Sequence, residues 1–245
     1  MLPDIFSAFD PGTNSIFLNI SSKSFWAIQM MILISIQSNI WMSQPRQTTL
    51  INMPLSIMYQ QMSRTLGKNL KSMSHLVTSL ILMIILTNLM GLMPYVFSLS
   101  SHLIFSFTIG FPLWFALIIS SIQTNAKMFM ANLVPSSAPN FLAPALALIE
   151  SISTLVRPFT LSFRLAANMS AGHIVLTLIG SYLSGGMFSS FMSTFALLLI
   201  QTGYILFEVG ICLVQAYIFC LLLSLYSDEH PLEKLSISLP MPSKS

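Results

Sequence analysis

Between Met128 and Ser227 the chain carries only four formal charges, Glu150, Arg157, Arg164 and Glu208, with His173 as one further titratable group. A stretch so poor in charge cannot cover itself for water, whereas hydrocarbon accepts it as helices that satisfy their own backbone. A charge at mid-membrane costs about 2.5–3.5 kcal/mol, so the few that are present mark where function is to be sought. The whole chain agrees: 54% of its 245 residues are apolar and 7% charged, with a mean hydropathy of +0.79. Soluble domains carry roughly 25% charged residues. The expected fold class is all-α and polytopic, within a single membrane domain spanning residues 1–245.

Several function classes fall away at once. A net charge of +3, with the basic residues scattered or confined to short loops, forms no strip able to neutralise phosphates, so no nucleic-acid partner is expected. Cys212 and Cys220 have no zinc-ligand spacing, and residues eight apart on one helix cannot form a disulfide. Of the four histidines only His173 lies deep in an apolar run, which leaves a haem without its ligands. No Gly-rich phosphate loop or Ser/His/Asp set appears, so no catalytic site of the soluble type, no cofactor and no metal are expected. The first twenty residues show neither a secretory signal nor a transit peptide pattern. A mitochondrial location would then imply synthesis inside the organelle, an idea with which the 17 methionines agree.

A first span is expected within 24–43, where eighteen uncharged residues from Phe25 to Met42 suffice for a ~30 Å layer. Trp26 and Trp41 stand near its ends, as interfacial rings do. The segment 44–75 contains Arg46, Arg64, Lys68 and Lys71 and no acidic residue, which assigns it to the side of synthesis, the matrix in a mitochondrion. Leu50, Met53, Ile57, Met58 and Met62 recur there at helical spacing and predict an amphipathic surface helix. The second and third spans fall within 76–127, from Leu76 to Met93 and from Leu103 to Ile122. Pro135, Pro139 and Pro144 make 128–144 read as a loop or re-entrant turn.

The remaining membrane mass, 145–227 with its flanks, consists of two runs of about forty residues, Phe141–Gly180 and Met187–Ser227, separated at Ser184-Gly185-Gly186. A helix of that length is about 60 Å long, twice the hydrocarbon thickness. Each run is therefore either two short spans, with Gln201-Thr202-Gly203 as a turn in the second, or one steeply tilted helix. Glu150, Arg157 and Arg164 are seven apart, so on one helix they form a stripe drifting only about 20° per step. Asn168 continues that stripe. Ser162, Ala166 and Ser170, and likewise Ala167 and Ala171, place small residues where another helix can approach. Glu208 and Gln215, again seven apart, give the second run its own polar seam. Two such seams suggest a hairpin that buries them together or against a third element. Pro158 frees backbone bonding just after Arg157 and is a candidate bend.

The string Ser162-Phe163-Arg164-Leu165-Ala166-Ala167-Asn168-Met169-Ser170-Ala171-Gly172-His173 resembles the R-L-x-x-N-x-x-A-G-[HE] signature of F-type ATP synthase subunit a. Glu208 through Gln215-Ala216-Tyr217 resembles the second signature of that family, E-x-x-x-x-x-x-Q-A-Y. Both occur in the family's order, and the resemblance is strong from about Glu150 to Tyr226. The His after Ala-Gly, with Glu in the second motif, looks like the mitochondrial version. About five membrane helices plus the surface helix are then expected, the last two forming a long tilted hairpin.

The resemblance implies a proton-conducting stator subunit whose two offset half-channels meet a rotating ring of c subunits in the mitochondrial inner membrane. Arg164 matches the family's essential arginine. Its guanidinium stays charged at any working pH, and opposite a c-subunit carboxylate it favours the ionised form and proton release. Asn168, His173, Glu208 and Gln215 match polar positions lining the half-channels, and Glu150 an acidic position near the matrix exit. Arg157 and Tyr217 are additional candidates; many relatives have a neutral residue or Lys at the position of Arg157. Implied partners are the c-ring, the peripheral-stalk and other membrane subunits, the lipid bilayer, and protons as the transported ion. The competing readings are a self-contained ion-coupled transporter or channel, disfavoured by the lack of an internal repeat, and a non-conducting structural or haem-anchoring subunit. No function attaches to the tail, 228–245.

Overall fold

The computed structural model describes Ala27, Met31 and residues 46–70, 72–93, 98–134, 141–186 and 191–228. Five helices account for most of them: α1 Arg46–Arg64, α2 Met73–Gly91, α3 Leu103–Asn132, α4 Ala143–Gly186 and α5 Phe191–Asp228. Two short 3-10 turns, Leu66–Asn69 and Leu99–Ser101, lie between α1 and α2 and between α2 and α3. The protein is all-α, and α2, α3, α4 and α5 are each long and apolar enough to cross a membrane. The expected span 24–43 lies outside the described residues apart from Ala27 and Met31, as does the tail beyond Asp228.

The long runs are single helices. α4 has 44 residues and α5 has 38, so they measure about 66 Å and about 57 Å. Gln201-Thr202-Gly203 continues α5 without a turn, and Ser184-Gly185-Gly186 is the last turn of α4. Pro158 sits inside α4, fully buried, and the Ser162 hydroxyl donates to its carbonyl at 2.8 Å.

Helix ends differ from the sequence expectation at the proline-containing connection. Residues 128–132, expected as loop, belong to α3, and Ala143 and Pro144, placed in the same loop, open α4. The reason lies at Asn125, whose φ of −161° and ψ of 86° are extended, so α3 breaks near the expected end of its span and then resumes. Proline in the first turn of a helix removes only an N–H that has no intrahelical partner, so Pro144 starts α4 as readily as it would end a helix.

α5 lies between α2 and α4, α3 packs on the other flank of α4, and α1 lies against α2 and the end of α5. The core where they meet contains Met58 and Met62 of α1, Val77, Ile81 and Ile84 of α2, Leu161 and Leu165 of α4, and Ala216, Phe219, Cys220 and Leu223 of α5. Of the expected amphipathic stripe on α1, Met58 and Met62 face this core, while Met53 and Ile57 are exposed. Lipid tails are as apolar as leucine, so within the bilayer close approach matters more than burial. Gly110 of α3 supplies such an approach, its α-carbon facing Ser162, whose hydroxyl also reaches the Ser106 carbonyl at 3.4 Å.

The basic connection is anchored to the end of α5. The Gly67 amide donates to Asp228 Oδ1 at 3.2 Å, and Gly67 lies so close to Ser227 that a β-carbon there would sit 2.7 Å from the serine Cβ. The first turns of α4 and the last of α5 therefore share the side of the membrane on which the segment 46–70 lies.

Candidate functional site

The polar residues of α4 and α5 form three groups in order along the hairpin. On the side of the basic connection, Arg157 Nη2 reaches Glu150 Oε1 at 3.4 Å, with the two side chains 25% and 44% exposed. This is the only ion pair within 4 Å among the described residues. The spacing of seven permits it, since two turns of helix bring both side chains to one face. The guanidinium also lies 5.2 Å from the centroid of the Tyr226 ring on α5.

The middle group is Arg164, about 21 Å along the helix from Glu150 at 1.5 Å per residue. It is exposed, and with Gln215 it lines a shallow groove floored by Leu161, Leu165, Ile218 and Phe219. Buried Leu161 and Leu165 lie beside it around the helix, so Arg164 stands at the edge of the packed face. Asn168, one turn on, is half-buried.

The third group lies about 12 Å further along α4, at Gly172. Glu208 is 2% exposed, and its carboxylate occupies the space that a β-carbon on Gly172 would need. Its Oε2 has no hydrogen-bond partner among the described residues. Tyr204 lies one turn earlier on α5, four residues before Glu208. His173 follows Gly172 and is half-buried. The Cys212 thiol, one turn beyond Glu208, lies 3.5 Å from the sulfur of Met169.

The structure thus brings together Glu150 with Arg157, Arg164 with Gln215, and Glu208 with Gly172. It does not join the three groups into one cluster. Tyr217 lies partly buried against the hydrophobic core. Sequence reasoning missed Tyr204, Tyr226 and Asn88. Tyr204 was detectable as the residue four before Glu208 on the same helical face. Asn88 of α2 is fully buried, with neither amide atom hydrogen-bonded among the described residues. It was visible as an amide inside an apolar run. Tyr226 carries no such signal, because its role depends on how α5 meets α4. Among the described residues no three His, Cys, Asp or Glu side chains gather as a metal site.

Comparison with known proteins gives the family of the chain. A family model described as ATP synthase A chain matches residues 21–228. The chain belongs to that family. ATP synthase subunit a of Apis mellifera ligustica is 35% identical over 94% of this chain and 97% of its own length. ATP synthase F(0) complex subunit a of Rhopalosiphum padi is also 35% identical, over 94% of this chain and all of its own. ATP synthase subunit a of Albinaria caerulea reaches 45% identity over 64% of this chain and 72% of its own. As a member of the ATP synthase A chain family, the protein is a proton-translocating membrane subunit of an ATP synthase, multi-pass in the mitochondrial inner membrane.

Proposed function

We propose that this chain forms two offset proton half-channels against a ring of c subunits, so that proton flow turns the ring and drives ATP synthesis. The observation that carries the reading is the order of groups along α4. A paired acid stands toward the basic-loop side, an exposed arginine in the middle, and a buried acid beyond it.

Each group has a physical task. Glu208 is buried with an oxygen lacking a protein partner, and such groups call for water or a transferable proton. With Tyr204, His173 and Asn168 it supplies successive proton-bearing positions leading toward the c-ring face from the side opposite the basic loop. Arg164, exposed on the hairpin and permanently charged, faces the c-subunit carboxylate and blocks a proton from crossing directly between the two routes. Gln215 shares its groove. Glu150, on the matrix side by the charge of the basic loop, receives the released proton. A proton crossing ~100 mV delivers about 2.3 kcal/mol, which the ring converts to rotation.

The test is Arg164→Ala in the assembled complex, reconstituted in vesicles, with ATP-driven pumping and passive proton leak measured together. Loss of coupled pumping with a rise in leak is the expected result. Pumping near the normal rate would overturn the reading.

A further inference from the structure

The matrix-side group contains more than an acid. Behind Arg157 lies a cavity of about 50 Å³ between α3, α4 and α5, lined among others by Trp114, Ser121, Thr154, Arg157 and Tyr226. One water needs roughly 10–15 Å³ of such space, so this cavity has room for water and polar groups to bind it. Among the described residues Arg157 is the only cation lining this cavity, and its guanidinium contacts both helices of the hairpin. On α4 it reaches Glu150 at 3.4 Å, and on α5 it meets the face of Tyr226 at 5.2 Å.

We propose that Arg157 is a positioning residue for the exit carboxylate, with Tyr226 as its anchor on α5. This rests on the reading of Glu150 as the group that receives protons on the matrix side. A guanidinium on a long, flexible stem defines a carboxylate's position only if it is itself held. The Tyr226 ring holds it through its negative face, while the Nη2 group of Arg157 reaches the Glu150 carboxylate. The carboxylate remains 44% exposed, so it is oriented without being sealed from the aqueous phase. The hairpin packing thereby couples the exit acid on α4 to a residue on α5 that lies outside both signature strings.

The experiment uses the assembled ATP synthase in vesicles, with ATP-driven proton pumping normalised to the amount of this subunit incorporated. Arg157→Gln and Tyr226→Leu are each expected to slow pumping about three- to tenfold. Tyr226→Phe, which keeps the ring face, stays within about twofold of the parent. In a Glu150→Gln background Arg157→Gln produces no further loss, because the group it positions is gone. If Arg157→Gln prevents assembly, the Tyr226 pair and its combination with Glu150→Gln carry the test. Unchanged pumping in Arg157→Gln or in Tyr226→Leu, with Glu150→Gln slow, overturns the positioning role alone, as do losses that multiply in the double variant. Unchanged pumping in Glu150→Gln itself overturns the exit reading and this proposal with it.

Discussion

The carboxylate of Glu208 on α5 rests against the backbone of Gly172 on α4, in the space that a β-carbon at position 172 would fill. This is where the two signature strings meet in space. A side chain at this position would have to displace the carboxylate of Glu208, which is itself buried.

Gly172→Ala is therefore expected to push Glu208 away from His173 or part the two helices. Overpacking of this kind costs about 1–3 kcal/mol. The expected readout is a complex that assembles less well or is less heat-stable, with slowed proton pumping in what does assemble. Gly210→Ala, at a glycine with open space around it, serves as the control and leaves both readouts unchanged.

A second close approach joins the basic connection to the membrane helices. Gly67 donates its amide to Asp228 and leaves no room for a side chain against Ser227. Gly67→Ala should loosen this junction by about 1–3 kcal/mol. Faster hydrogen exchange of the amides in 64–70, and easier proteolysis there, would report it, while Gly185→Ala at an open site would not.

His102 lies just before α3, outside the membrane span, and burial lowers its pKa below the ordinary 6.5. The unfolded segment takes up its proton first as pH falls, so the contribution of neutral His102 to stability is intact above pH 6.5. It is lost as pH drops through the lowered value. Hydrogen exchange around 98–106 should rise over that acidic range, and His102→Gln should remove the rise.

Cys212 and Cys220 are both buried in the hairpin core, Cys212 against Met169 and Cys220 fully enclosed. Thiol chemistry follows access as well as ionisation. A membrane-permeant maleimide is expected to leave both unlabelled in the native complex and to label both after denaturation. Labelling of Cys212 in the native state would mean that α4 and α5 part there in solution.

Much of this protein was legible in its residues alone. The shortage of charge dictated an all-helical membrane fold, because unsatisfied backbone groups are excluded from hydrocarbon. The spacing of seven placed Glu150 and Arg157 within reach of one another, since helical geometry is local and needs no knowledge of neighbours. The strings around Arg164 and Glu208 pointed to the family for the same reason: they are read within a single helix. Other features came only from the packing of helices distant in sequence. Whether each forty-residue run was one helix or two was undecided by composition, because both arrangements bury the same residues in lipid. That Arg164 faces outward while Glu208 is enclosed depends on which faces α4 and α5 turn toward each other. The contacts of Tyr226 with Arg157, of Glu208 with Gly172 and of Asp228 with Gly67 belong to pairs 69, 36 and 161 residues apart. Helical periodicity loses its information over such separations, and only the packed structure decides them.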